Sequence, residues 1–444
     1  MAAAPISAAA SWPCGSAQRR SAPFLEVAVS RFARVLSSCL CLSAGAFAAV
    51  PASAADDPSK PVFVVTSRST QAAVVAASAV RAHSLAAPNG EALAISELPA
   101  SRLGELIQHV HGKEKRCGGF FAFDSREQAE AFVRDDLSSL AATAQVAAYS
   151  VDNQATVTPW LAQVKEANIR ATIGSLSGNW TTRHAQTAHG RAASDWIRDA
   201  WTGLAANRAD VAIEQVACSG CGQQPSVVLT WRGNELPGEV VVLGAHMDSI
   251  VAGSGGPSAV APGADDDASG VATLTEVLRV ALASGYKPRR TVKFMAYAAE
   301  EIGLLGSKAI ASDHRNRGEN VVGVLQLDMT NYRASGAPDL RLISDNSNAG
   351  LQQLMRELYS TYLGGRTLAE YRCGYGCSDH ASWTAAGYPA AMLFEGGTAR
   401  GGYSPHIHSR NDTLANMGNS AANSVPFAKL GLAFLGELGK TSVR

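Results

Sequence analysis

Histidine and carboxylate residues recur along this chain in a pattern typical of a metal site. Imidazole nitrogen and carboxylate oxygen both bind zinc, and two zinc ions about 3.5 to 4 Å apart need one carboxylate that contacts both ions. The residues that meet this requirement are His246, Asp266, Glu301, Asp328 and His408. Glu300 is a further carboxylate beside this set, where a general base would act. The sequence therefore predicts a two-metal hydrolase.

Three consecutive aspartates, Asp265–Asp267, precede a strongly apolar helical stretch. Carboxylates at a helix N-terminus are favoured by the helix dipole, which accounts for one or two of the three. A third carboxylate is better explained by a ligand role, because the flanking Gly263 and Gly270 let the backbone turn sharply. Spacing alone does not choose among the three.

The carboxylates and histidines at strand ends also have structural alternatives. His246 and Asp248 are two residues apart, so one can bind a metal while the other orients it. A hydrogen-bonded histidine at a strand terminus is the simpler explanation. Glu300 and Glu301 follow the apolar run VKFMAYAA, where a pair of surface residues is the alternative to a ligand beside a base.

The last two candidates are single residues. Asp328 follows the apolar run VGVLQL, and a buried carboxylate there would destabilise the fold without a cation or hydrogen-bond donors. His408 lies in a loop rich in Gly, Ser and Pro, where an exposed histidine is common. Each signal is modest alone, but the complete set in order on one scaffold favours the metal site.

Apolar runs alternate with helical patterns from VVVLGAH to PAAMLFEGG. β-Rich runs separated by amphipathic helices predict an α/β fold with a mostly parallel central β-sheet flanked by helices. His246, Glu300 and Asp328 fall at the C-terminal ends of such runs, where ligands gather in parallel sheets. The segment 252–263, rich in Gly, Ser and Pro, predicts a loop over the site.

The N-terminal third predicts two segments ahead of the catalytic region. Residues 31–54 have a basic start, an apolar stretch of about fifteen residues and an Ala-x-Ala ending, which is typical of a secretory signal and short for a membrane span. We therefore expect 1–54 to be a signal or targeting segment of a secreted protein without a stable membrane anchor. Mixed short strands and helices predict a small α+β domain over 55–146, which we interpret as a removable pro-segment; a permanent accessory domain is the alternative. Residues 147–444 form the catalytic domain, with a polar boundary stretch over 138–158.

Composition and cysteines limit the possible partners. The 444-residue chain has 46% hydrophobic residues, and its 38 Lys and Arg balance 38 Asp and Glu. No dense basic run is present, so nucleic acid is not expected as a partner. Cys373 and Cys377 are good disulfide candidates in an exported protein. For Cys218 and Cys221 a loop disulfide or two inert thiols is favoured over metal or redox chemistry, and Cys117 has no obvious partner.

Several long phrases resemble the secreted bacterial leucyl aminopeptidases that use two co-catalytic zinc ions. They are GADDDASG, FMAYAAEE, LQLDMTNY, CGYGCSDHASW, AGYPAAM, and IH followed by DTLAN, and the likeness runs from about Gln154 to the C-terminus. The resemblance implies a zinc exopeptidase fold with two Zn²⁺ ions. It implies that Asp266, Glu301 and His408 hold one ion. It implies that Asp266, His246 and Asp328 hold the other.

The resemblance also implies roles for the remaining site residues. Glu300 is the general base that activates a zinc-bridging water for attack on the N-terminal peptide bond, Asp248 supports His246, and Tyr375 stabilises the oxyanion. A pocket for a large hydrophobic first residue such as Leu is implied at Met329, Ile343, Tyr375, Met392, Phe394, Tyr403 and Ile407. Segment 396–406 departs from the family in length and lacks an aromatic residue.

The same resemblance names the partners. These are peptides with a free N-terminus, an N-terminal pro-segment that acts as inhibitor and chaperone, and a processing protease. Two alternatives stay open. A related zinc enzyme, such as a carboxypeptidase or a glutaminyl cyclase, is the first, and Arg400 or Arg410 could then hold a substrate carboxylate. A catalytically silent zinc-binding receptor is the second, but it would be expected to lack Glu300 or a ligand.

Overall fold

The computed structural model describes only part of the chain. The described residues are 59–67, 70, 74, 82–86, 92–112, 119–135, 141, 149–206, 208–252, 256–373, 376–397 and 402–442. All of them belong to one compact unit. The predicted signal segment, the predicted junction at 146, Cys117 and Tyr375 lie outside them. No helix in the described ranges is both long and apolar enough to cross a membrane.

A four-stranded antiparallel sheet forms the N-terminal part, in the order β2-β3-β1-β4. Its strands are β1 (Pro61–Ser67), β2 (Ala82–Ala86), β3 (Ala92–Pro99) and β4 (Phe120–Phe123). Its helices are α1 (Leu103–Gly112) and α2 (Arg126–Arg134). Helix α2 begins with a cap, because the Ser125 hydroxyl accepts a hydrogen bond from the Gln128 backbone N–H at 3.2 Å. The Gln128 side chain in turn accepts from the backbone N–H of Asp124. We refer to residues 59–135 as the N-terminal domain.

An eight-stranded sheet forms the centre of the remaining chain, in the order β11-β10-β12-β9-β7-β8-β6-β5. Its strands are β5 (Val211–Val216), β6 (Ser226–Trp231), β7 (Leu236–His246), β8 (Arg290–Tyr297), β9 (Asn320–Leu327), β10 (Leu340–Ile343), β11 (Leu368–Tyr371) and β12 (Ala390–Phe394). The predicted α/β class is confirmed. The central strands β12, β9, β7 and β8 are parallel, whereas β6, β10 and β11 run in the opposite direction. The sheet is therefore mixed, and residues 232–235 between β6 and β7 are too few for a parallel crossover.

Helices cover this sheet and connect its parallel strands. They are α3 (Gln154–Leu161), α4 (Glu166–Gly178), α5 (Ala188–Leu204), α6 (Ala268–Ala283), α7 (Leu305–Asn316), α8 (Ala349–Leu363), α9 (His380–Ala385) and α10 (Ser424–Gly439). The polar boundary predicted over 138–158 is wrong at its C-terminal end. Helix α3 begins within it, because Val157 and Trp160 pack into the main core.

The helical connections between parallel strands determine where the candidate site residues lie. Helix α6 joins β7 to β8, and α7 joins β8 to β9, so these three parallel strands end at the same edge of the sheet. Helix α6 is buried on most of its surface, and its apolar side chains join the main core together with those of α10. The polar residues that follow the three strands are therefore held on a packed scaffold.

Candidate metal centre

All five predicted metal ligands meet at this edge of the central sheet. His246 is the last residue of β7, Glu301 follows β8, and Asp328 follows β9. Asp266 precedes α6, and His408 comes from the loop between β12 and α10. Each side chain belongs to a residue that is at most 5% exposed. Residues as far apart in the chain as His246 and His408 thus share one buried site.

The side chains form two groups that share Asp266. His246 Nε2 lies 3.1 Å from Asp266 Oδ1 and 3.8 Å from Asp328 Oδ1. His408 Nε2 lies 2.9 Å from Asp266 Oδ2 and 2.9 Å from Glu301 Oε2. Within each group the ligand atoms all lie within 4.8 Å of one another. The two oxygens of one carboxylate therefore face two different histidines.

The chemistry of these atoms fits bound cations. Among the described residues, buried oxygens of Glu301, Asp328 and Glu300 have no hydrogen-bond partner. A buried carboxylate oxygen without a donor or a cation destabilises the folded state. One histidine and two carboxylates in each group form the nitrogen and oxygen ligand set that zinc accepts, and three protein ligands leave a position open. The residues present thus fit two zinc ions.

The three consecutive aspartates have different partners. Asp266 faces the histidines, as described above. Asp267 caps α6 by accepting from the Gly270 N–H at 2.8 Å, and it also accepts from the N–H groups of Met329 at 3.0 Å and His246 at 3.1 Å. Asp265 accepts from the N–H of Asn331 at 3.0 Å. Helix capping accounts for Asp267, as the dipole argument expects.

Asp248 connects two strand ends beneath the ligands. Its Oδ1 accepts from the Glu300 N–H at 3.0 Å, and its Oδ2 accepts from the Glu301 N–H at 3.1 Å. The same Oδ1 lies 3.3 Å from Nδ1 of His246. One carboxylate therefore orients the histidine after β7 and both glutamates after β8.

Three further acidic or amide groups at the site were not predicted. Asp412 accepts from the backbone N–H groups of Asp265 at 2.9 Å and Asp266 at 3.0 Å. Glu395 accepts from the N–H of Ser404 at 2.5 Å, and burial and the neighbouring Asp265 raise its pKa well above the usual range. Gln326 donates to Asp379 at 2.9 Å. Glu395 directly follows the apolar run of β12, just as Asp328 directly follows that of β9. The position of Glu395 in the sequence could therefore have marked it as a site residue.

Burial and crowding shift the proton affinity of these groups. Burial raises the pKa of Glu300 well above its usual range, and the nearby carboxylates of Glu301 and Asp328 add to the shift while His246 opposes it. Burial acts to lower the pKa of His408, but attraction to Glu301 and Asp266 outweighs it and raises that pKa to about 10. The carboxylates therefore attract positive charge strongly, as protons or as metal ions.

The predicted pocket residues form one apolar cluster beside the ligands. Its buried members are Met329, Ile343, Cys377, Met392 and Phe394, and Tyr371, Cys373, Tyr403 and Ile407 pack against them. All six described pocket predictions belong to it. Met329 directly follows Asp328, so the cluster begins at the candidate ligands. A disulfide joins Cys373 to Cys377 at this cluster. A second joins Cys218 to Cys221, which pack in the apolar cluster that includes residues of the N-terminal domain.

The N-terminal domain packs on the segment that carries both glutamates. Ala299 and Ile302, on either side of Glu300 and Glu301, belong to the same apolar cluster as Leu98 and Leu106 of that domain. The Ala122 N–H donates to the Gly303 carbonyl at 3.4 Å.

A lysine side chain and a cavity lie at the same contact. Nζ of Lys308 donates to the Ala122 carbonyl and lies 3.7 Å from the ring centre of Phe123. A cavity of about 680 Å³ lies between the N-terminal domain and the loop and helix that follow the glutamates. Its walls include Val62, Phe132, Ile302 and Leu305.

Comparison with known proteins agrees with the fold. Peptidase family M28 matches residues 226–431. "Leucine aminopeptidase 1" of Arthroderma otae is 35% identical over 322 residues, which cover 69% of this chain and 83% of that relative. The LapA aminopeptidase of Legionella pneumophila superposes with a TM-score of 0.72 at 26% identity, over 86% of this chain and 99% of its own. BSAP, a zinc aminopeptidase from Bacillus subtilis, shares the fold with a TM-score of 0.50 at 15% identity, over 62% and 95% of the two chains. With its shared-aspartate site on this scaffold, the chain belongs to peptidase family M28.

Proposed function

We propose that this chain is a secreted metallo-aminopeptidase that hydrolyses the N-terminal peptide bond of peptides. The observation that carries the proposal is the position of Asp266, whose two oxygens face His246 at 3.1 Å and His408 at 2.9 Å. A carboxylate in that position can serve two metal ions at once. The relatives named leucine aminopeptidase support the same reaction.

Two zinc ions are the proposed cofactors. Asp266, His246 and Asp328 would hold one, and Asp266, Glu301 and His408 the other. When bound, they supply Lewis-acid polarisation of the scissile carbonyl and lower the pKa of water. Asp248 orients His246 and both glutamates through the contacts described above.

Glu300 is the proposed general base. Its Oε1 is buried and has no hydrogen bond among the described residues, so it can accept a proton from the attacking water. Burial raises the pKa of this carboxyl, and a carboxyl that holds the proton can return it to the leaving amine. Tyr375, outside the described residues, is the proposed oxyanion stabiliser.

The apolar cluster is the proposed pocket for the first residue of the substrate. Its walls are methionine, isoleucine, aromatic and disulfide-bonded cysteine side chains. An apolar wall favours a large hydrophobic side chain such as that of leucine. The carboxypeptidase alternative needs Arg400 or Arg410 to hold a substrate carboxylate; Arg410 is exposed to solvent, and Arg400 lies outside the described residues.

Segments 1–54, 55–146 and 147–444 are the proposed signal, pro-segment and catalytic domain. Contacts of the N-terminal domain with Ala299, Ile302 and Gly303 support a pro-segment that restrains the segment bearing Glu300 until a processing protease removes it. Two disulfides are consistent with an oxidising compartment outside the cytosol.

The test is hydrolysis of leucine 4-nitroanilide by protein lacking residues 1–146. Its N-acetylated counterpart, chelator treatment and zinc restoration are measured in parallel, and Glu300→Gln is the matched variant. We expect cleavage of the free amine alone, loss with chelator or with Glu300→Gln, and recovery with zinc. Zinc binding without cleavage of either compound would exclude the aminopeptidase and direct the search to C-terminal substrates, cyclisation or a binding role.

A further inference from the structure

A fully buried arginine lies behind the candidate metal centre. Arg183 is 1% exposed and belongs to the loop between α4 and α5. Its guanidinium donates to four backbone carbonyls rather than to a carboxylate of the described residues. The acceptors are Met247 at 2.8 Å, Leu176 at 3.2 Å, Pro262 at 2.5 Å and Gly263 at 2.8 Å. Satisfying so many carbonyls at once requires the planar fork of five N–H donors that arginine has.

Three of these carbonyls belong to the two segments that carry the ligands of one metal group. Met247 lies between His246 and Asp248 after β7. Pro262 and Gly263 are separated only by Ala264 from the three aspartates that include Asp266. The guanidinium therefore joins the strand end with the histidine to the turn with the shared carboxylate.

Ser249 makes a further contact between the same two segments and one with the backbone of Arg183. The Ser249 hydroxyl donates to the Ala261 carbonyl at 2.8 Å and accepts from the backbone N–H of Arg183 at 3.1 Å. Gly263 has φ of +52°, and a Cβ there would lie 2.9 Å from Nη2 of Arg183 and 2.4 Å from the Asp266 carbonyl. The turn is thus fitted closely around the guanidinium, with no room for a side chain.

The positive charge of Arg183 lies near several buried aspartates. Burial lowers the pKa of the Arg183 guanidinium, and attraction to nearby carboxylates partly offsets this lowering. In order of strength, these carboxylates are Asp412, Asp267, Asp248 and Asp266. Arginine stays protonated in proteins. A fixed positive charge behind a cluster of carboxylates reduces their mutual repulsion before any metal binds.

We propose that Arg183 is a positioning residue that fixes the separation of His246 from Asp266 and thereby sets the zinc affinity of that group. It touches neither substrate nor a ligand side chain and acts through the backbone of both segments. The inference rests on the proposed metal-dependent function. Partners that orient metal ligands typically change metal affinity about 10- to 100-fold when they are replaced.

The test uses the full chain with Arg183→Lys and Arg183→Met. Lysine keeps the charge but cannot donate to four carbonyls, whereas methionine loses both. Zinc affinity by chelator competition and the absorption spectrum of the cobalt-substituted protein are the readouts. We expect both variants to bind zinc about 10- to 100-fold more weakly and to show an altered cobalt spectrum. The matched control is Arg290→Met, which removes donors to Glu239 and to the Leu438 carbonyl at the opposite end of the sheet, and which should change thermal stability without changing zinc affinity.

The outcomes separate the inference from the proposed function. Wild-type zinc affinity and cobalt spectrum in either variant, whatever its melting temperature, would overturn the role of Arg183 alone. A wild-type chain that binds zinc but cleaves no peptide would overturn the proposed function alone, and one that binds no zinc would overturn both. If neither arginine variant folds, Ser249→Ala removes the contact between the same two segments and the one with the Arg183 backbone, and should weaken zinc binding about 3- to 10-fold. Unchanged affinity in that variant would then count against the role.

Discussion

Replacing Asp248 with asparagine tests the support beneath the ligands most directly. The carboxylate accepts two backbone N–H groups, at 3.0 and 3.1 Å, and lies 3.3 Å from His246 Nδ1. A carboxamide of the same shape keeps one acceptor oxygen and turns an NH₂ donor toward the other N–H. At least one charge-assisted hydrogen bond, worth about 1.5 to 3 kcal/mol, is lost. That loss corresponds to about a 10- to 100-fold weaker zinc affinity if the bond supports the metal-bound arrangement.

The assay is chelator competition for zinc on the full-length Asp248→Asn protein, with kcat/KM for leucine 4-nitroanilide after removal of the N-terminal segment. Asp199→Asn is the matched control, because Asp199 pairs with Arg198 at the surface, where an ion pair contributes little. Zinc affinity within about threefold of wild type in Asp248→Asn would refute the reasoning, since a spectator carboxylate would behave in that way.

Three other outcomes follow from the site and its surroundings. Glu300→Gln should lower kcat by about 10²- to 10⁴-fold while zinc stays bound, because only the proton acceptor is removed; unchanged kcat with full zinc content would exclude it as the base. Met392→Ala should reduce the preference for leucine over alanine substrates by about tenfold or more, since it removes a wall of the apolar cluster; an unchanged ratio of kcat/KM values would place the pocket elsewhere. Burial lowers the pKa of Lys308 from 10.5 to about 7 against attraction from Asp124, so protonation opposes docking of the N-terminal domain. Docking should therefore strengthen as pH rises from about 7 to 10.5 and stay constant below pH 7. The measurement is amide hydrogen exchange in β4, which should slow over this pH range after correction for the intrinsic exchange rate. The same pH dependence in Lys308→Met would contradict the prediction.

Features written in short stretches of sequence were predictable. His246, Glu300 and Asp328 each end an apolar run, and a parallel arrangement of those runs brings their ends to one edge. The parallel direction of β7, β8 and β9 follows from the helices between them. The reversed directions of β6, β10 and β11 were not anticipated from apolar runs alone, since a buried run reads the same in both directions.

Contacts between distant loops were not predictable from pattern. Spacing did not distinguish Asp266 from its neighbours, because their partners come from the segment after β9 and from the loop with Asp412. Arg183 gave no signal at all, since a lone arginine in a polar stretch normally lies at the surface. Its burial depends on four carbonyls that converge only in the folded chain.

The aspartate triplet has a consequence for how this site can vary among related chains. Asp265, Asp266 and Asp267 each contact a different neighbour. Adding or deleting one residue in this triplet would therefore shift each carboxylate into the position of the adjacent one, where its partners differ. Such a change would disturb a helix start, two strand ends and the shared ligand in one step. We expect insertions and deletions to be absent from this turn in active relatives.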